Sequence, residues 1–280
     1  MNPDKIVETI NTIPTLPTIY QNLINVMEDP NATSDDIAKV ISYDQAASFT
    51  VLRIANSPLF GLTGQIQSIS QAVMHLGFIE IRNIVLALSV INLVKNKNSF
   101  PYLPLTDFWK HSIATGTAAK LIAQTVAPRE SENAFLGGIL HDIGKLILII
   151  YFEKDYRKVF ENFNSSKELI SDAEKRVLGF THAEIGGMVA EYWEQPDLIV
   201  NIVKYHNIGL VESNFEKTTA IVHLGDIYAR AIGLGNPGDN MIPKPNHKIW
   251  DHIDLPNDFF VLNIPNLTIS FRSIVSMLLK

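Results

Sequence analysis

The sequence has no cysteine in its 280 residues. Disulfide bonds and thiolate metal sites are therefore excluded, and any metal bound by this chain needs nitrogen or oxygen ligands. Basic residues are also too few to balance the acidic ones: the formal charge at pH 7 is −6 and the pI is about 5.7. This balance argues against a nucleic-acid backbone as the main partner.

Long apolar runs are scarce as well. The residues before Asn11 include Asp4, Lys5 and Glu8, so they contain no apolar signal core. The run Ile84–Val94 has about half of the ~20 residues that a membrane-spanning helix needs. We therefore expect a cytoplasmic protein that neither spans nor binds a membrane.

What the sequence does contain is a helical pattern. Apolar residues make up 46% of the chain, enough for a sizeable core, and they recur at helical spacing without strand-like alternation. The pattern predicts an all-α fold. Prolines and polar residues at Asn96–Asp107 predict a boundary between a helical module at 1–100 and a second at 101–280, which has a Gly/Pro-rich loop at 233–246 and a C-terminal helix.

One apolar stretch, "GGILHDIGKLILII", carries three ionisable residues, His141, Asp142 and Lys145. The pattern predicts a single helix over Ser131–Tyr151 that contains them. Imidazole and carboxylate groups suit zinc, iron, manganese or nickel better than calcium. A metal at His141 and Asp142 needs further ligands, and the candidates lie on other predicted helices. These candidates are His111, His182, His206 and Asp226.

Each candidate taken singly also has a structural explanation. Asp226 can pair with Arg230, four residues further on. Lys145 can be a surface lysine or an anion contact, and His206 can complement the C-terminus of its helix. A lone histidine on an apolar face is usually a hydrogen-bonded core residue, which is our interpretation of His223.

The ordered set is more informative than its members. His111, His141–Asp142 and Asp226 resemble the H…HD…D signature of the HD superfamily of metal-dependent phosphohydrolases. The segments "HDIGK", "THAEIGG" and "VKYHN" are similar to the HD-GYP cyclic-dinucleotide phosphodiesterases and to the related HDOD (HD-related output domain) family. Residues 13–61, followed by "SISQAVMHLGFIEIRNIVLALSV", resemble the N-terminal part of an HDOD protein. The resemblance covers roughly residues 13–232.

This resemblance implies an HD-like helical bundle for the second module and a site for one or two divalent transition-metal ions. His111, His141, Asp142 and Asp226 match the four-residue superfamily set. His182 and His206 match the histidines with which HD-GYP-like sites hold a second metal. The chain departs from those enzymes in two ways, because Asn207 replaces the second histidine of a His–His pair and the GYP segment is missing.

Two functions follow from the resemblance. The first is a bacterial signalling protein, non-catalytic or with a vestigial metal site, that binds a signalling protein or a small phosphorylated ligand. The alternative is an active metal-dependent phosphohydrolase or phosphodiesterase on a nucleotide or cyclic dinucleotide. In that case Asp142 would bridge two ions and Lys145 would face the phosphate. Nucleic-acid binding by the first module is a third hypothesis, which the acidic balance disfavours.

Overall fold

The protein is built from helices. The computed structural model describes residues 3–61, 65–94, 100–163, 167–210 and 214–279, and these contain no strand. The all-α prediction is confirmed. The helices are α1 Pro3–Ile10, α2 Thr18–Met27, α3 Ser34–Ser42, α4 Gln45–Ala55, α5 Ile69–Val94, α6 Leu105–Val126, α7 Ser131–Leu140, α8 Ile143–Tyr151, α9 Glu153–Glu161, α10 Ile170–Leu178, α11 His182–Tyr192, α12 Asp197–Tyr205, α13 Glu216–Ala231 and α14 Phe259–Leu278, with 3₁₀ turns at Pro128–Glu130 and His247–Asp251.

Local capping explains where one important helix begins. Thr181 accepts a hydrogen bond from the Glu184 backbone N–H, and the Glu184 carboxylate accepts one from the Thr181 backbone. This capping box satisfies two amide groups that the first turn of a helix leaves unpaired. It fixes His182 as the first residue of α11.

The single helix predicted over Ser131–Tyr151 is wrong. The chain turns at His141 and Asp142, so that α7 ends at Leu140 and α8 begins at Ile143. Asp142 has φ −97° and ψ 11°, outside the helical range. The apolar periodicity continues across the turn because both helices are buried, which explains why the break is invisible in the pattern.

Close helix contacts in this region depend on glycine. A Cβ on Gly138 of α7 would overlap the backbone of Gly116 in α6. A Cβ on Gly144 of α8 would likewise overlap the carbonyl oxygen of His182 at the start of α11. These contacts let α7 pack closely on α6 and α8 pack closely on the start of α11.

The described chain forms two compact units. The larger unit comprises Met1–Pro14 and Lys97–Ile264, and the smaller one comprises Thr15–Asn96 and Pro265–Lys280. The predicted division into residues 1–100 and 101–280 differs from these units at both ends of the chain. Every candidate site residue lies in the larger unit.

By length and composition alone, three stretches among the described residues are long and apolar enough to cross a membrane: Ile69–Leu93, Pro128–Tyr151 and Phe259–Leu278. On this criterion the expectation that no segment is long enough is wrong. For Pro128–Tyr151, 89% of the apolar window is buried inside the protein. Its length is explained by the joining of α7 and α8 across the turn at His141 and Asp142.

Candidate metal centre

The six predicted ligands converge in the interior of the larger unit. Each of these residues is at most 2% exposed. They come from five places in the fold, and their ligand atoms approach one another although the residues are far apart in sequence. They are His111 in α6, His141 and Asp142 at the α7–α8 turn, His182 at the start of α11, His206 just after α12 and Asp226 in α13.

One side of the site contains His111, His141 and Asp226. His111 Nε2 lies 2.9 Å from Asp226 Oδ1, and His141 Nε2 lies 3.9 Å from the same oxygen. Asp142 Oδ2 completes this side at 3.3 Å from His141 Nε2 and 4.0 Å from His111 Nε2. Such separations suit atoms that share one ion at about 2.0–2.2 Å from each.

The other side of the site is formed by His182 and His206. Asp142 Oδ1 lies 3.1 Å from His182 Nε2 and 3.5 Å from His206 Nε2. The two ring nitrogens are 3.4 Å apart. The two oxygens of Asp142 therefore face opposite sides of the site.

Hydrogen bonds orient the three histidines around Asp142. His141 Nδ1 donates to the Gly138 carbonyl at 2.7 Å, and His206 Nδ1 donates to the Val203 carbonyl at 2.8 Å. His182 Nδ1 donates to the Glu174 carboxylate at 2.6 Å. With Nδ1 protonated in each neutral ring, every Nε2 lone pair points inward, as a metal ligand requires.

Glu174 is a site residue that sequence reasoning missed. It is fully buried and accepts hydrogen bonds from the His182 backbone, the His182 ring and the Tyr156 hydroxyl. Burial and the neighbouring Glu174 carboxylate raise the pKa of Tyr156 well above its usual range, which keeps the hydroxyl a donor. The only sequence signal was a carboxylate beside the apolar positions Ile170, Ala173 and Leu178 of α10.

Each of the two candidate carboxylate ligands is paired with a basic side chain of the protein. Lys145 Nζ donates to Asp142 Oδ2 at 2.7 Å and to the Pro237 carbonyl at 2.8 Å. Arg230 Nε reaches both oxygens of Asp226, at 2.9 and 3.0 Å. The Asp226–Arg230 pairing considered as a structural alternative is therefore present. Lys145 is fully buried, so its interpretation as a surface residue is wrong.

These contacts set the charges of the carboxylates. Although burial opposes ionisation, His141 and Lys145 hold the pKa of Asp142 well below its usual range. Burial opposes ionisation of Asp226 in the same way, but Arg230 and His111 keep its pKa well below the usual range. Both groups are therefore carboxylates at neutral pH and can act as metal ligands without losing a proton.

The histidines fall into two classes. Burial lowers the pKa of His111, and it lowers the pKa of His206 to about 4, so both are neutral at pH 7. Burial also opposes protonation of His182, but the Glu174 and Asp142 carboxylates raise its pKa above the ordinary value. Of these three rings, His182 is thus the one whose environment favours a second proton.

The donor set fits a divalent transition metal. Ligand atoms of His111, His141 and Asp226 lie within 4.8 Å of one another, as do those of His141, Asp142 and His206. His141 Nε2 and Asp142 Oδ1 are buried without a hydrogen-bond partner, which is costly unless another group satisfies them. Imidazole nitrogens combined with carboxylate oxygens favour zinc, iron, manganese or nickel.

His223 lies beside this centre rather than in it. Its Nδ1 donates to the His206 carbonyl at 2.6 Å, and burial lowers its pKa. This bond holds the turn after α12 against α13, which agrees with the structural interpretation of His223.

A cleft of about 530 Å³ opens next to the centre. Among the six candidate ligands, Asp226 is the one found on its wall. The remaining wall combines charged, amide and apolar side chains, including Lys175, Lys204, Tyr205, Asn207, Ile208 and Arg230. A volume of this size accommodates a small ligand.

Comparison with known proteins identifies the family. The model of the HDOD domain family matches residues 13–208, about two thirds of the chain. A curated relative from Treponema pallidum (strain Nichols), an "Uncharacterized protein", is 22% identical over 204 residues, or 72% of this chain. The chain spans 39% of the length of that relative.

Three solved structures share the fold over 98% of this chain. An HDOD domain protein with unknown function from Geobacter sulfurreducens is 26% identical, with 96% of its chain covered and a TM-score of 0.80. A "Putative phosphohydrolase" from Shewanella amazonensis SB2B is 21% identical, with 97% covered and a TM-score of 0.76. A "Putative signal transduction protein" from Marinobacter aquaeolei VT8 is 22% identical, with 61% covered and a TM-score of 0.75.

Proposed function

The chain belongs to the HDOD domain family, and from this premise we propose that it is a regulatory signalling protein with a buried divalent-metal centre. It acts by binding a signalling protein or a small phosphorylated ligand, and not by turnover. The metal centre stabilises the helical bundle and positions the residues next to the cleft. The signal-transduction name of the Marinobacter aquaeolei structure supports this choice.

The observation that carries the proposal is the enclosure of the six candidate ligands. His111, His141 and Asp142 have no exposed surface, and the others are at most 2% exposed. Asp142 and Asp226 already hold Lys145 and Arg230. A phosphate group would have to displace packed side chains to reach both carboxylates, whereas a small ion needs only a reorientation of side chains already present.

Metal content and turnover test the proposal together. Protein purified without chelators is analysed for bound elements, and turnover of phosphodiester and nucleotide substrates is measured with added Mn²⁺, Fe²⁺ or Mg²⁺. We expect bound divalent metal and no turnover. Metal-dependent hydrolysis that is abolished in Asp142→Ala and retained in Asp155→Ala would contradict the regulatory proposal. Asp155→Ala is the control, because Asp155 is paired with Lys158 at the surface.

A second candidate function is metal-dependent phosphohydrolysis. Asp226 connects the centre to the cleft, so a substrate phosphate in the cleft would lie near the ligands. A bound divalent ion would supply Lewis-acid activation of water. In that case Asp142 would hold the ion, while Lys145 would need to leave the Pro237 carbonyl in order to face the phosphate.

The position of Lys145 separates the two candidate functions. Lys145→Arg keeps the positive charge but cannot reproduce the contacts with Asp142 and Pro237 in the same space. A regulatory protein should show altered metal affinity or stability and unchanged, undetectable turnover. A hydrolase should lose measurable turnover in the variant.

A further inference from the structure

We propose that this site is built for one divalent cation, and that Asn207 keeps the His182–His206 side free of a second. The first ion would be held by His111, His141, Asp142 and Asp226. This inference rests on the proposed metal centre and adds the number of ions and the residue that limits it.

Asn207 donates a hydrogen bond to the nitrogen lone pair of His182 that a second ion would need. Its Nδ2 lies 3.2 Å from His182 Nε2. An amide nitrogen can only donate, so this contact uses the inward-facing lone pair of His182. Nε2 of His182 is thus already engaged within the protein.

Asn207 is held in place by its position in the chain. It directly follows His206, whose ring donates to the Val203 carbonyl and whose own carbonyl accepts from His223. Both bonds fix the turn after α12. The amide of Asn207 is therefore held next to His182, and it also contributes to the wall of the cleft.

The buried charges also balance one divalent ion rather than two. Four carboxylates belong to the hydrogen-bonded cluster around the site: Asp142, Glu174, Asp226 and Asp239. Two cations, Lys145 and Arg230, pair with them, and Arg230 bridges Asp226 and Asp239. With neutral imidazoles these described residues carry two net negative charges. One divalent ion neutralises the cluster, so no buried negative charge is left over to favour a second ion.

Metal stoichiometry tests this inference. The full chain is loaded with excess Mn²⁺, and in parallel with Zn²⁺, then desalted and analysed for metal per chain. We expect about one ion for the native protein and about two for Asn207→His, which replaces the donor by a ligand. Asn201→His is the matched control, because Asn201 is a half-buried residue of α12 whose amide bonds its own helix. It should retain about one ion.

A second pair of variants keeps the inference testable if Asn207→His does not fold, which thermal melting followed by circular dichroism would reveal. His182→Ala should retain the tightly bound ion, whereas His111→Ala should lose it. Two tightly bound ions in the native protein, or loss of the first ion in His182→Ala, would overturn the one-ion inference and leave the proposed metal centre standing. No bound metal under any loading condition would overturn both.

Discussion

Lys145 and Arg230 are the residues whose burial most needs an explanation. A lysine or arginine is rarely enclosed unless its charge is paired. Lys145 has no exposed surface and reaches Asp142 and the Pro237 carbonyl; Arg230 reaches Asp226 and Asp239. Each cation links a candidate metal ligand to the loop between α13 and α14. The charge at the metal centre and the position of that loop are therefore electrostatically coupled.

Replacing Lys145 by methionine should reveal this connection. The variant leaves Asp142 as an unpaired buried charge, and breaking a buried pair from one side costs about 3–5 kcal/mol. We expect that loss in the free energy of unfolding measured with denaturant in the presence of a chelator. A divalent cation should restore part of the loss, because it supplies the missing positive charge next to Asp142.

Lys158→Met is the control for this measurement. Lys158 pairs with Asp155 at the surface, where an ion pair contributes about 1 kcal/mol or less. If Lys145→Met costs no more than this control, the buried pair does not have the role assigned to it.

Tyr156→Phe should show how strongly the neighbouring Glu174 is held. The Tyr156 hydroxyl donates to Glu174 Oε1 at 2.7 Å in a fully buried place. A hydrogen bond to a charged group contributes about 1.5–3 kcal/mol, and we expect this loss in urea unfolding. Tyr192→Phe should cost about 1 kcal/mol or less, because its 3.3 Å bond to the Asn11 carbonyl is exposed. Equal costs would contradict the importance of the Tyr156–Glu174 contact.

Sequence reasoning found the candidate ligands and the partner Arg230, but not the buried acidic residues around them. His111, His141, Asp142 and Asp226 stand out because polar groups interrupt apolar helices, and their order in the chain resembles a known signature. Glu174 and Asp239 carry no such signal. Their roles come from contacts between segments 8 or more residues apart, such as Glu174 with His182 and Asp239 with the Ile170 backbone. Their roles as metal-site residues, like those of the six ligands, stay predictions.

At the scale of the helices, local chemistry was the more reliable guide. Capping hydrogen bonds to Thr33 and Thr181 mark the starts of α3 and α11. The ends of buried helices were harder to place. The break at His141–Asp142 was missed, and α14 continues through Pro265. Apolar periodicity does not report a turn whose flanking helices are both buried.

The approach of α8 to α11 gives a prediction at this scale. In Gly144→Ala the new methyl group would overlap the His182 carbonyl, which belongs to the backbone and cannot rotate away. Overpacking of this kind costs about 1–3 kcal/mol, and a backbone neighbour favours the upper end. We expect a lower midpoint in thermal unfolding.

Gly187→Ala is the control in α11, at a glycine that faces α12 rather than α8. Its methyl group would meet the flexible side chain of Lys204 at 3.1–3.4 Å. Alanine also favours a helix interior over glycine by about 1 kcal/mol. The variant should therefore be neutral or slightly stabilised, and a loss as large as that of Gly144→Ala would show that helix contact is not the cause.

For the whole molecule, the order of motifs along the sequence indicated the family, but the sequence did not predict which segments pack into the same unit. The family resemblance over residues 13–232 agrees with the HDOD family match over residues 13–208. The composition change at Asn96–Asp107 marks one passage between the two compact units. It contains no information on the first 14 residues, which belong to the larger unit, or on the segment from Pro265 onward, which belongs to the smaller one. That grouping depends on tertiary packing, which apolar periodicity does not encode.

Because all six candidate ligands lie in the larger unit, metal should stabilise that unit selectively. At a free metal concentration of 100 Kd, binding to the folded state alone adds about 2.7 kcal/mol. Hydrogen exchange with and without chelator measures the gain helix by helix. We expect slower exchange with metal in α6, α7, α8 and α13, and little change in α2, α3 and α4 of the smaller unit. Asp226→Asn should abolish the difference, since it removes a charged ligand while keeping the shape of the side chain. An equal gain in both units that persists in Asp226→Asn would mean that metal binds elsewhere than at this centre.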